Sequence, residues 1–239
     1  MRNIFTIAMK ELKTYFTSPM AYIITAVFLA MSGFFYAQDL ASAQLARLHG
    51  FFGPASFLLV LIGPLLTMRL LAEEQKLGTL ELLLTAPVRD YEVVIGKFVA
   101  VLGILFVMLA ITFYYPLLLV INSSPPDWGP VLSGYLGLFL LSGCFLALGL
   151  FASSLTSNQI VAAVVGIGLA LLFWLIDSAA ALVQNVAIFR DVVTYLSLNA
   201  HYTDFVRGVI DTTGLVYYMS FIGVFIFFAV RSLETRRWR

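Results

Sequence analysis

RLLAEEQKLGTLELLLTAPVRDYEVVIGK, Arg69 to Lys97, is a charged island between long apolar runs, and its reading decides the fold. It holds four of the fourteen Lys/Arg and five of the thirteen Asp/Glu. Inside it, Thr79–Thr85 is fenced by Gly78 before and Pro87 after. Glycine ends a helix at little steric cost and proline cannot continue one, so TLELLLT reads as a separate helix of about two turns. Leu80, Leu82, Leu83 and Leu84 are too many to leave in water and too few to cross a bilayer. Such a helix lies flat on an apolar surface, either the membrane or a partner protein. Asp90 then reads as the N-cap of the next long helix, with Glu92 in the first turn, where the helix dipole favours an anion.

The sequence around the island excludes a soluble domain. The chain is 239 residues long, 61% hydrophobic and 11% charged, against roughly 45–50% and 25% in globular proteins. A mean hydropathy of +0.97 with repeated apolar runs near twenty residues means a polytopic membrane protein. The net charge of +1 gives nucleic acid nothing to bind. Cys144 is the single cysteine and lies within an apolar run, so no intrachain disulfide exists. Lys10 and Lys13, an apolar stretch and then Ala41-Ser42-Ala43 imitate a signal peptide; we read this region as the first span.

Residues 1–18 are amphipathic. Ile4, Phe5, Ala8, Leu12, Tyr15 and Phe16 fall near one helical face, and Arg2, Lys10 and Lys13 supply charge. This is an interfacial helix, turned inward by Pro19. Six spans are expected, at 19–37, 51–68, 93–120, 131–155, 160–176 and 215–230. Pro54 and Pro64 lie in the second, where proline removes a backbone hydrogen bond. Residues 69–92 form a loop between spans two and three, and 231–239 a tail. The stretch 177–214 is too polar to span and too apolar to be a solvated loop. Short re-entrant helices buried against protein fit it best.

Charge sets the orientation. Eleven Lys/Arg fall in the N-terminal segment, the island and the tail, whereas the opposite side has only Arg47, Arg190 and Arg207. The positive-inside rule puts both termini and the island in the cytoplasm.

Catalytic chemistry is hard to find. There is no H-E-x-x-H, G-x-S-x-G or Walker lysine motif. The two histidines, His49 and His201, lie on the outer side without a nearby cysteine, so no metal site is expected. No Lys, Arg or Glu is expected deep within a span, which disfavours a secondary carrier or channel and points to energy supplied from outside the chain. Ala162, Gly166 and Ala170, spaced at four, allow close helix approach. They serve either packing within the chain or a dimer contact. Aromatic residues crowd the outer ends of spans one, two and five, in keeping with an interfacial belt.

Three stretches carry a family resemblance: KELKTYFTSPMAYI near the N-terminus, EEQKLGTLELLLTAPVRDYEVVIGKF, and HYTDFVRGVIDTTGLVYYMS before the last span. In this order they resemble ABC-2 type transporter permeases, most closely the subfamily of gliding-motility and nitrous-oxide-cluster permeases. The resemblance implies an all-α integral membrane permease of the type V exporter kind. It would have an N-terminal interfacial helix, a cytoplasmic coupling helix and outer re-entrant helices. It makes TLELLLT the coupling helix on an ATPase, with Glu73, Glu74, Lys76, Gly78, Thr79, Leu80, Glu81, Leu83, Leu84 and Pro87 at the contact. It implies two ATPase subunits carrying ATP and Mg2+, a second permease protomer (homodimer or homologous heterodimer), an extracytoplasmic auxiliary protein, membrane lipid as surroundings, and no cofactor in this chain. The implied location is a bacterial inner membrane. Relatives carry substrate between the second and fifth spans of two protomers, which makes Phe57 and Phe173 lining residues. The implied function is ATP-driven export of an unidentified substrate. The alternative is a non-transporting scaffold that transmits ATPase cycles to extracytoplasmic partners.

The orientation is testable with single cysteines. One placed at Ser124 is expected to react with an impermeant thiol reagent added outside intact cells, and one at Lys76 is not. The opposite labelling pattern would invert the topology.

Overall fold

The computed structural model describes residues 2–42, 48–79, 88–121, 126–182 and 195–237, and among these helix is the only regular structure. The helices are α1 (Arg2–Thr17), α2 (Pro19–Ser42), α3 (His49–Leu77), α4 (Asp90–Thr112), α5 (Tyr114–Ile121), α6 (Trp128–Leu155), α7 (Gln159–Leu182), α8 (Leu198–Val206) and α9 (Thr212–Arg237). Among the described residues, six segments are long and apolar enough to cross a membrane: Pro19–Ala41, Gly50–Leu77, Asp90–Ile121, Trp128–Leu155, Gln159–Ile176 and Thr212–Thr235.

Several elements run longer than their apolar stretches suggest. The second and third spans continue as helix into the charged island, because a helix needs no apolar residues once it has partners to pack on. The last helix starts at Thr212 and carries on through RSLETRR, where Arg231 Nη1 and Glu234 Oε2 pair three residues apart at 2.6 Å. The third span breaks at Phe113, between α4 and α5. Pro116 has no amide hydrogen to give the Thr112 carbonyl four residues back. The Tyr135 hydroxyl of α6 donates to that carbonyl instead, at 2.9 Å.

α6 is the axis of the bundle, with α3, α4, α7, α8 and α9 packed around it. Its most apolar window is 83% buried, against 17% for α2 and α9. Centrality follows from its small residues. A Cβ on Gly149 would lie 2.0 Å from Thr67 Oγ1 and 2.7 Å from Pro64 Cα, so α3 and α6 touch through backbone. Gly166 of α7 enters the same point, where an added Cβ would meet Pro64 Cβ at 2.9 Å and Gly149 Cα at 3.3 Å. Ala162 and Ala170, one turn to either side, are fully buried. The close approach at the centre of the Ala162–Gly166–Ala170 stripe is made against Pro64 of α3 and Gly149 of α6.

The stretch before α9 is anchored to α6 and α3. Ser197 caps α8 by accepting the Ala200 amide at 3.1 Å. Leu198, Tyr202 and Phe205 are buried on one face. The Phe205 carbonyl accepts Ser133 Oγ at 2.7 Å, Tyr202 Oη donates to the Phe52 carbonyl at 3.3 Å, and Tyr218 Oη donates to the Leu198 carbonyl at 2.8 Å. Gly208, at φ 94°, turns the chain from α8 toward α9. Asp191 and the patch before it lie outside the described residues.

α1 differs from its expected face. It packs along α4, with Ile7 over Gly96 and Leu12 over Gly103. Ala8 and Tyr15 are buried, whereas Phe5 and Phe16 are exposed together with Met9. One apolar side is taken by α4, and a second is exposed.

Gly149→Ala is expected to lower the melting temperature of the detergent-purified protein, because Pro64 Cα is backbone and cannot turn aside; overpacking of this kind costs about 1–3 kcal/mol. Gly53→Ala, where a Cβ meets nothing within 4 Å, serves as the control and should leave the melt unchanged or raise it.

Candidate functional site

The charged island is where chemistry other than apolar packing concentrates. The described residues flank its centre, and Leu80, Glu81, Leu83, Leu84 and Pro87 of the expected coupling helix lie outside them. On the near side α3 ends at Leu77, and Gly78 takes the left-handed conformation at φ 69° and returns its amide to the Gln75 carbonyl. On the far side α4 begins. Arg89, not Asp90, is its extended N-cap, and Asp90 is the first helical residue. Glu92 does the capping from inside the helix, where its Oε2 accepts the Arg89 amide at 3.0 Å. The same oxygen accepts Asn3 Nδ2 at 3.1 Å, tying the start of α1 to the start of α4.

One turn further along α4 stands Lys97, only 1% exposed. Its ammonium donates to Glu11 Oε1 of α1 and to Glu74 Oε1 of α3, both at 2.8 Å. A buried ammonium without partners costs several kcal/mol, so this geometry holds three helices at one atom. Lys97 stands at the island end of the expected span 93–120 and of the observed span Asp90–Ile121.

Arg69 of α3 forms a second junction. Its Nε pairs with Glu73 Oε2 at 3.1 Å, Nη1 donates to Ser18 Oγ at 3.1 Å, and the guanidinium carbon lies 5.5 Å from the Tyr15 ring centre. Tyr15 Oη donates to the Leu66 carbonyl. Burial pushes the Tyr15 phenol well above its usual pKa, so it remains a donor at any physiological pH. Gln75 Nε2 reaches the Ser154 carbonyl of α6 at 3.1 Å, and Ser232 Oγ of α9 reaches the same carbonyl at 3.2 Å. Between α1 and α3 these residues leave a cleft of about 200 Å³ lined by Lys10, Glu11, Tyr15, Arg69, Glu73 and Glu74.

The expected contact residues therefore divide. Glu74 turns inward to Lys97 and Glu73 to Arg69, while Lys76, Leu77, Gly78 and Thr79 are exposed at the tip of the α3 arm. Phe57 is 40% exposed with its ring 5.3 Å from Trp174, whereas Phe173 packs edge-on against Phe221 at 5.0 Å. Sequence reasoning missed Asn3, Glu11, Glu92 and Lys97 as a set. A lysine five residues inside an expected span was a signal, since a cation there demands a counter-charge. Which carboxylates answer it is a tertiary matter.

A protein-family model described as ABC-2 family transporter protein matches residues 5–231. None of the curated proteins compared with the chain matches it.

Lys97→Met is expected to strand Glu11 and Glu74, and breaking a buried pair in this way costs about 3–5 kcal/mol. Limited proteolysis should then cut within α1, which is protected in the wild type. Lys76→Met, at an exposed position, should leave the digestion pattern unchanged.

Proposed function

The chain belongs to the ABC-2 transporter family, the membrane permeases of ABC transporters, and from that premise we propose that it couples ATP hydrolysis by separate ATPase subunits to substrate export. The observation that carries this reading is the Lys97 junction, which fastens α1, the α3 arm and the start of α4 to one another on both sides of residues 80–87. A segment held between two such arms transmits force from a docked partner instead of yielding to it. TLELLLT supplies the leucines for an ATPase groove. Lys76, Gly78 and Thr79, exposed at the end of α3, border that contact.

The assembly consists of two protomers and two ATPase subunits, with ATP and Mg2+ on the latter. It sits in a bacterial inner membrane with both termini and the island in the cytoplasm. Closure of the ATPases pushes on the coupling helix and on α1, and the bundles rock to release substrate outward. The exposed Phe5, Met9 and Phe16 of α1 support its lying in the headgroup region. The segment through α8 re-enters from the outer face and caps the exit path, a reading supported by the burial of Leu198, Tyr202 and Phe205 against α6 and α9. Phe57, exposed beside Trp174, lines the substrate path, and Phe173 sets the position of α7 against α9 behind it.

The test is capture of the ATPase by tagged permease. If TLELLLT docks in a groove, Leu83→Asp buries an unpaired carboxylate there. A loss of about 3 kcal/mol weakens assembly more than a hundredfold. Glu81→Ala on the charged rim should cost less than about 1 kcal/mol. Full ATPase capture by a folded Leu83→Asp variant would remove the coupling role and leave a membrane-surface helix.

A further inference from the structure

A groove of about 520 Å³ runs between α4 and α6. Its cause is a pattern of side-chain size. Phe106, Ala110 and Phe113 follow one another along the α4 wall about one turn apart, and the small residue between the two large ones is exposed. The facing wall of α6 is Tyr135, Leu136 and Phe139. Phe106 and Phe139 meet edge to face at 6.4 Å at one end, and toward the other Phe113 lies 5.3 Å from Tyr135 and 6.3 Å from Trp128. The bulk that Ala110 lacks is the hollow between them.

The groove lies in the half of the bundle away from the charged island. α6 reaches the island end with Ser153 and Ser154, which bond α3 through Leu71, Ala72 and Gln75. Trp128 therefore marks the opposite end, and Tyr135 to Phe139 lie about 10–17 Å along the helix from it. Both walls belong to membrane-crossing segments, Asp90–Ile121 and Trp128–Leu155.

What fills such a site must be apolar. Tyr135 Oη, the polar group of the lining, already donates to the Thr112 carbonyl at 2.9 Å, and the buried Leu109 closes the floor. Water gains nothing in an apolar hollow, and left empty it would cost the walls their dispersion contacts. A helix of another chain is held off. Close helix approach in a membrane needs small residues repeated at a spacing of about four, and four residues to either side of Ala110 stand the exposed Phe106 and Tyr114. A flexible hydrocarbon chain passes between those rings, where a helix about 10 Å across does not.

We propose that this groove is a binding site for one acyl chain of a phospholipid from the leaflet opposite the island, which is the outer leaflet when the island is cytoplasmic. The chain enters beside Trp128, whose indole suits the interface level, and lies against Phe113, Ala110 and Phe106. Shape and hydrocarbon contact select it, because the lining offers no charge. The site stands apart from the coupling reading and from the path beside Phe57, since its described lining comes from α4 and α6 alone.

Photolabelling of the detergent-purified permease tests this, with phosphatidylcholine carrying a diazirine midway along one chain as the probe, followed by peptide mapping. Lipid in bulk contact labels every exposed apolar face, including that of α9 with Val216 and Met219. A bound chain is expected to enrich adducts on 106–113 and 135–139 severalfold over α9, and excess unlabelled phosphatidylcholine should compete that enrichment away. Ala110→Phe fills the hollow and is expected to abolish the enrichment, whereas Val216→Phe leaves it. The melting temperature of Ala110→Phe should match that of the wild type, since the new ring enters the groove and not the packed core. If that variant fails to fold, the wild-type map decides alone. Adducts spread evenly over the exposed faces would mean bulk contact only and overturn the site, as would an enrichment that a folded Ala110→Phe retains. Disulfide-linked dimers of Ala110→Cys, made in a Cys144→Ala background and oxidised, would give the groove to a second copy of the chain instead.

Discussion

Lys97 cannot be where it is without Glu11 and Glu74. An ammonium removed almost wholly from water is tolerable only when opposite charge reaches it, and the two carboxylates come from helices remote in sequence, 86 and 23 residues away. The N-terminal helix, the end of the second span and the start of the third are thereby pinned at one atom. The neighbouring contacts, Asn3 to Glu92 and Arg69 to Ser18, then have little freedom left in where they fall. A hydrophobic residue at position 97 would leave both carboxylates without their cation. The charged group specifies register, a role that apolar packing performs poorly.

Within the bundle the governing constraint is different. Lipid offers no hydrogen bonds, so each carbonyl freed by a proline must find a donor inside the protein. Tyr135 supplies one to Thr112 opposite Pro116, and around Pro64 the hydroxyls of Thr67 and Ser153 crowd onto α3. Pro64 also lies where glycines admit close backbone approach, at Gly149 and Gly166.

Together these two constraints give the permease a packed body around α6 and, at the island end, a charged junction that ties α1, α3 and α4 to one another. The exposed apolar surfaces of α2, α7 and α9 suit a chain whose surroundings are lipid.

Much of this was legible in the residues. The apolar runs, the eleven-to-three split of Lys/Arg and the Gly78–Pro87 fence report class, span number and the special character of the island, because solvent transfer and helix termination are local properties of composition. Span ends were less legible: α3 and α9 continue past their apolar stretches, since a helix stops where its backbone loses partners and not where its side chains become polar. The spacing of Ala162, Gly166 and Ala170 announced close approach but not its partner, which proved to be Pro64 and Gly149 of the same chain. Nothing in a linear pattern pairs Lys97 with Glu11 and Glu74, or brings Ser153 to Met68, Leu71 and Ala72. Those contacts join residues from 23 to 86 positions apart, and only the packing of the helices decides which polar groups are left facing one another when water is excluded.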